Sequence, residues 1–92
     1  MPKDESVKEL QETIVELMEE VELDNSVPRN IRKAVTDAKE KILGKEEASV
    51  KITSAIYLLD DISSDINMPA HTRTDIWTLI SDLESYREKL TK

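Results

Sequence analysis

His71 is the single imidazole in this sequence, and there is no cysteine beside it. That removes disulfides, thiolate nucleophiles and iron–sulfur ligation, and it leaves zinc with one soft ligand where several are needed. Ser63, Ser64 and Thr72 carry hydroxyls near His71 in sequence, but no nucleophile motif surrounds them, and they read as turn and capping residues. The carboxylates remain. Glu19, Glu20, Glu22 and Asp24 form one cluster, and Asp60, Asp61 and Asp65 form another. A calcium loop alternates oxygen ligands around a glycine and closes on a bidentate glutamate, a layout neither cluster has. A di-iron bundle needs Glu and Glu-x-x-His on core-facing stripes. Both clusters therefore read as hydrated surface charge, with weak divalent binding and a metal-dependent hydrolase as the lesser alternatives. The expectation is no catalytic residue, no metal and no cofactor.

The elements that carry these groups follow from the apolar spacing. Val7, Leu10, Ile14, Leu17 and Val21 fall three or four apart, with Met18 beside them, and predict a helix from about Asp4 to Leu23. Ile31, Val35, Ala38 and Ile42 predict a second, ended by Gly44 as a left-handed residue. The third runs from about Glu46 to Ser64 on Ala48, Ile52, Ala55, Leu59 and Ile62. The fourth starts near Pro69, or one turn later with Thr72 as its cap, and carries Ile76, Leu79, Leu83, Tyr86 and Leu90. Four helices of matched length imply an all-α fold of antiparallel helices in one domain, residues 1–92.

A shift of 41 residues lays the chain on itself. Leu17-Met18-Glu19-Glu20-Val21 falls on Leu58-Leu59-Asp60-Asp61-Ile62, Asp24 on Asp65, Ser26-Val27-Pro28 on Asn67-Met68-Pro69, and Arg32 on Arg73. The matches sit at a helix end, a loop and a helix start, where backbone geometry narrows the choice of residue. They predict two tandem helical hairpins, about 4–43 and 46–91, packed as a four-helix bundle.

The placing of Asp24 before Ile31-Arg32 and Ala34 resembles HEAT repeats, and Asp65 before Thr72-Arg73 does so more loosely. That resemblance implies structural turn-to-helix contacts for Asp24, Arg32, Asp65 and Arg73, with an anion site at either arginine as the alternative. Over most of its length, the chain also resembles a small uncharacterised archaeal family of about ninety residues. The residues that carry this are Val27-Pro28-Arg29-Asn30-Ile31-Arg32-Lys33-Ala34 and Asn67-Met68-Pro69-Ala70-His71-Thr72-Arg73-Thr74-Asp75-Ile76-Trp77. It implies a compact four-helix domain and cytoplasmic residence, and it brings no catalytic residue.

Thirteen basic residues against 20 acidic ones give a net charge of −7, which disfavours nucleic acid as the principal ligand. The distribution is uneven. The first helix is strongly acidic, whereas the second carries Arg29, Arg32, Lys33, Lys39 and Lys41, a local basic strip that keeps nucleic-acid association open as an alternative. No apolar run reaches the length of a membrane span, and the charged opening does not resemble a signal peptide, so the expected location is the cytoplasm. Val50 and Tyr57 lie seven residues apart on the side of the third helix opposite its stripe. Trp77 stands off the stripe of the fourth, with Ile80 towards its side. Aromatic side chains are enriched at interfaces, and this chain has only three. The residues therefore point to a small non-catalytic interaction or scaffold module that forms a homodimer or other homo-oligomer, or binds a protein partner, through Val50, Tyr57, Trp77 or Ile80.

Overall fold

The computed structural model describes residues 3–90, with side chains from residue 7 onward. Four helices follow in order: α1 Lys3–Leu23, α2 Arg29–Leu43, α3 Ala48–Ile62 and α4 Ala70–Leu90. Each packs against two others in a closed cycle, α1 on α2, α2 on α3, α3 on α4 and α4 back on α1. Short loops make consecutive helices antiparallel, and α4 runs antiparallel to α1, since Tyr86 near its end bonds Gln11 near the start of α1. The hairpins thus close on each other instead of stacking as an open array.

The core is aliphatic and follows the predicted stripes. Ile14, Met18 and Val21 of α1 meet Ile31, Val35, Ala38 and Ile42 of α2, Ile52, Ala55 and Leu59 of α3, and Ile76, Leu79, Leu83 and Tyr86 of α4. In α1 the line sits one residue further round than the spacing suggests, with Met18 fully buried and Leu17 half-buried. Val27 and Met68, equivalent under the 41-residue shift, close one end of the core from the two hairpin loops.

Three local expectations change. Gly44 is extended, with φ −74° and ψ −179°, so α2 does not end on a left-handed residue. Its N–H instead bonds Lys41 O at 3.1 Å, and a Cβ there would stand 3.3 Å from the Glu40 and Lys41 carbonyl oxygens. Crowding by the last helical turn is what suits glycine. Thr72 is no cap either. Helix α4 starts at Ala70, directly after Pro69, and Thr72 is wholly buried within it with no hydrogen-bond partner for its Oγ1 among the described residues. Its equivalent in the first hairpin is the core residue Ile31. Finally, the helices are not matched: α1 and α4 have 21 residues each, α2 and α3 only 15. At 1.5 Å per residue the outer pair is about 31 Å long and the inner pair about 22 Å.

Candidate functional site

The two hairpin loops lie at the same end of the bundle and are built alike. Asp24 Oδ1 accepts the Ser26 N–H at 2.9 Å, and Asp65 Oδ1 accepts the Asn67 N–H at 2.8 Å. Each aspartate uses its other oxygen on the opposite hairpin. His71 Nε2 lies 2.9 Å from Asp24 Oδ2, and Asn30 Nδ2 donates to Asp65 Oδ2 at 2.9 Å. The Ser26 hydroxyl, then His71 and the Ser26 N–H, hold the Asp24 carboxyl down at about 2. The Asn67 N–H and Asn30 lower Asp65 in the same way, with a smaller contribution from the Arg73 charge.

The two arginines bind main-chain carbonyls. Arg32 Nε donates to Val27 O at 3.0 Å, while Arg73 donates to Ser63 O at 3.0 Å and Asp65 O at 3.1 Å. The arginines make their turn-to-helix contacts through these carbonyls, and the aspartates reach the opposite hairpin. Both guanidinium groups thus tie a helix start to the main chain of its own hairpin loop.

The basic strip is largely occupied. Lys39 Nζ lies 2.7 Å from Glu22 and 3.9 Å from Glu19, Lys33 lies 3.3 Å from Asp37, and Lys41 lies 3.8 Å from Glu46. Burial pushes the Glu22 carboxyl up, but hydrogen bonds from Lys39 and Thr36 and the ammonium charge together hold it below its ordinary value. The Glu22 hydrogen bond raises Lys39 in return. Among the described residues, Arg29 is the strip residue with no such partner.

The acidic clusters do not converge. No three His, Asp or Glu side chains among the described residues are grouped so as to hold a metal ion. Likewise, no helix of the described residues is long and apolar enough to cross a membrane.

The apolar candidates lie on the second hairpin. Tyr57 is 75% exposed and Val50 46%, both on the outer face of α3, where Thr53 and Ser54 leave a shallow depression beside the Tyr57 ring. Trp77 is 62% exposed and lines a separate groove between α3 and α4, with Ile80 half-buried in its wall and Asp60, Ser63, Ser81 and Glu84 around it. Sequence reasoning named all four apolar residues but did not join Trp77 and Ile80 to Asp60, Ser63 and Glu84. The groove exists only once α3 and α4 are laid side by side.

The family model of UPF0147, an uncharacterised protein family, matches residues 1–86. The chain belongs to UPF0147. A UPF0147 protein of Methanocaldococcus jannaschii is 46% identical over 78 residues, covering 84% of each chain. One from Saccharolobus islandicus is 44% identical over 90 residues, covering 96% of this chain and 98% of the other. A crystal structure of a UPF0147 member from Thermoplasma acidophilum superposes with a TM-score of 0.82 at 35% identity, over 86% of this chain and 94% of that one. A second crystal structure, of a protein of unknown function, gives 0.79 at 45% identity over 83% and 88%. The archaeal relatives and the helical fold agree with the resemblance seen in the sequence. The UPF0147 bundle assigns no reaction to any of these side chains.

Proposed function

We propose that this UPF0147 protein is a non-catalytic helical interaction module that assembles with itself through the outer face of α3, as a scaffold or adaptor. The observation that carries the reading is Tyr57, an aromatic ring standing 75% exposed on the solvent pole of a helix whose opposite side supplies the core. Val50 lies two turns away on the same pole, and the small side chains of Thr53 and Ser54 lie beside the ring. A tyrosine over small neighbours gives large contact area at low side-chain entropy cost, and a two-fold pairing would set each ring against the other copy's Thr53 and Ser54. The first hairpin carries Glu9 and Glu16 at the positions equivalent to Val50 and Tyr57, so its corresponding face stays hydrated. Charge supports the same choice, since the basic strip that would serve nucleic acid is mostly paired within the chain.

Sedimentation equilibrium tests it. The expected result is a dimer that the Tyr57→Glu variant converts to monomer without loss of helicity. A wild-type monomer at high micromolar concentration overturns the self-assembly.

A further inference from the structure

The duplication supplies an internal comparison for the groove that holds Trp77. Its residues Asp60, Ser63, Trp77 and Ile80 are the 41-residue equivalents of Glu19, Glu22, Thr36 and Lys39. In the first hairpin the matching groove between α1 and α2 is bridged by a cation of the chain itself. Lys39 Nζ reaches Glu22 at 2.7 Å and Glu19 at 3.9 Å, and the Thr36 hydroxyl donates to Glu22. In the second hairpin the more distant of the two acids is kept as Asp60 and Glu84 lines the same groove, but Glu22 has become Ser63, the lysine Ile80 and the threonine an indole. Asp60 and Glu84 form no ion pair among the described residues. The indole stands outside the core cluster to which Ile76, Leu79 and Leu83 of the same helix belong.

We propose that the α3–α4 groove receives a lysine or arginine side chain from a basic segment of a partner protein, with the cation over the Trp77 ring between Asp60 and Glu84 and its aliphatic stem along Ile80. The incoming cation meets Asp60 as Lys39 meets Glu19, with Glu84 as its second carboxylate in place of Glu22. An exposed indole face attracts an ammonium or guanidinium group, and the two carboxylates add charge complementarity that fixes where the cation sits. The net charge of −7 speeds encounter with a basic partner, and the acidic rim repels phosphate, so a basic protein segment is favoured over nucleic acid. This contact lies on a different face from Tyr57, so it stands or falls separately from self-association.

Trp77 is the only tryptophan, so its fluorescence reports on the groove directly. The probe is a synthetic amphipathic peptide of alternating Leu and Lys pairs, compared with the same peptide bearing acetylated lysines. Titration should give a saturable change in Trp77 emission with the cationic peptide, and at least about tenfold weaker binding with the acetylated one, the loss of roughly 1.4 kcal/mol per tenfold. Ile80→Lys, which places a cation of the chain itself in the groove beside Asp60, should weaken binding comparably, as should Asp60→Asn combined with Glu84→Gln. Circular dichroism establishes that each variant is folded. Glu9→Gln with Glu16→Gln removes the same charge from a distant exposed face and should leave binding within about twofold.

Three results overturn the proposal: no emission change at low salt, equal loss in the Glu9 and Glu16 control, or unaltered binding by a folded Ile80→Lys protein. A fourth also overturns it. If self-association is abolished by Trp77→Ala and untouched by Tyr57→Glu, a second copy of the chain fills the groove.

Discussion

Asp24 and His71 meet at 2.9 Å across the two hairpins, and Asn30 and Asp65 repeat the contact at 2.9 Å with the hairpins exchanged. Because 30 and 71, like 24 and 65, are equivalent under the 41-residue shift, the duplicated units grip each other reciprocally, as the halves of a two-fold interface do. His71→Ala and Asn30→Ala should each lower the unfolding midpoint modestly. In double-mutant cycles, His71→Ala should add little to Asp24→Ala, whereas His71→Ala and Asn30→Ala should combine close to additively. Thermal unfolding of the set measures both.

Acid should loosen this end of the bundle. Asp24 is held at about 2 in the folded chain against an ordinary value of 3.8, so its contribution is complete above about pH 4 and disappears as pH falls towards 2. Asp65 is lowered too and acts in the same direction. The unfolding midpoint should therefore drop across that window, and Asp24→Asn should flatten the dependence. Melting curves between neutral pH and about pH 2 show whether it does.

Thr72 should be improvable. Its hydroxyl is buried with no partner among the described residues, while the equivalent position in the first hairpin holds Ile31. Thr72→Val keeps the branched shape and removes the orphaned polar atom, and it should raise stability by about 1 kcal/mol in denaturant titration. A loss of stability would mean that the hydroxyl is satisfied in solution.

Lys39→Met should do the reverse. It leaves Glu22 partly covered with Thr36 as its remaining side-chain donor, and should cost about 1 kcal/mol, a small figure because both side chains keep some contact with water. The Glu22 carboxyl should titrate higher in that variant when followed by NMR. Adding Glu22→Leu should recover most of the lost stability, since the pair is then removed together.

Much of this was legible from residue order. Apolar residues three and four apart define four helices whatever surrounds them, because only one face of each can leave water, and the aligned Asp and Pro positions expose the duplication without coordinates. Boundaries were less secure. Gly44 reads as a left-handed stop because that is the usual reason for glycine after a helix, whereas here two carbonyl oxygens crowd the site where a Cβ would stand. Thr72 reads as a cap by residue type, although its place on the buried stripe matches Ile31. The basic strip was visible as composition, and the Lys33–Asp37 pair follows from helical spacing, but the pairing of Lys39 with Glu22 on the neighbouring helix was not legible, since sequence gives sign and spacing and leaves the facing partner open.

The sequence by itself determined the helical class, the stripes that form the core, the twofold repetition and the identity of the exposed aromatics, all properties of residue type and local period. Only the tertiary structure decided which side chains from different helices share a surface. Lys39 fills one groove and Trp77 opens its twin because α1 lies against α2 as α3 lies against α4. Asp24 finds His71, 47 residues away, because closure of the bundle brings both loops to one end. Packing between helices fixes such pairs, and no period within a single helix encodes it.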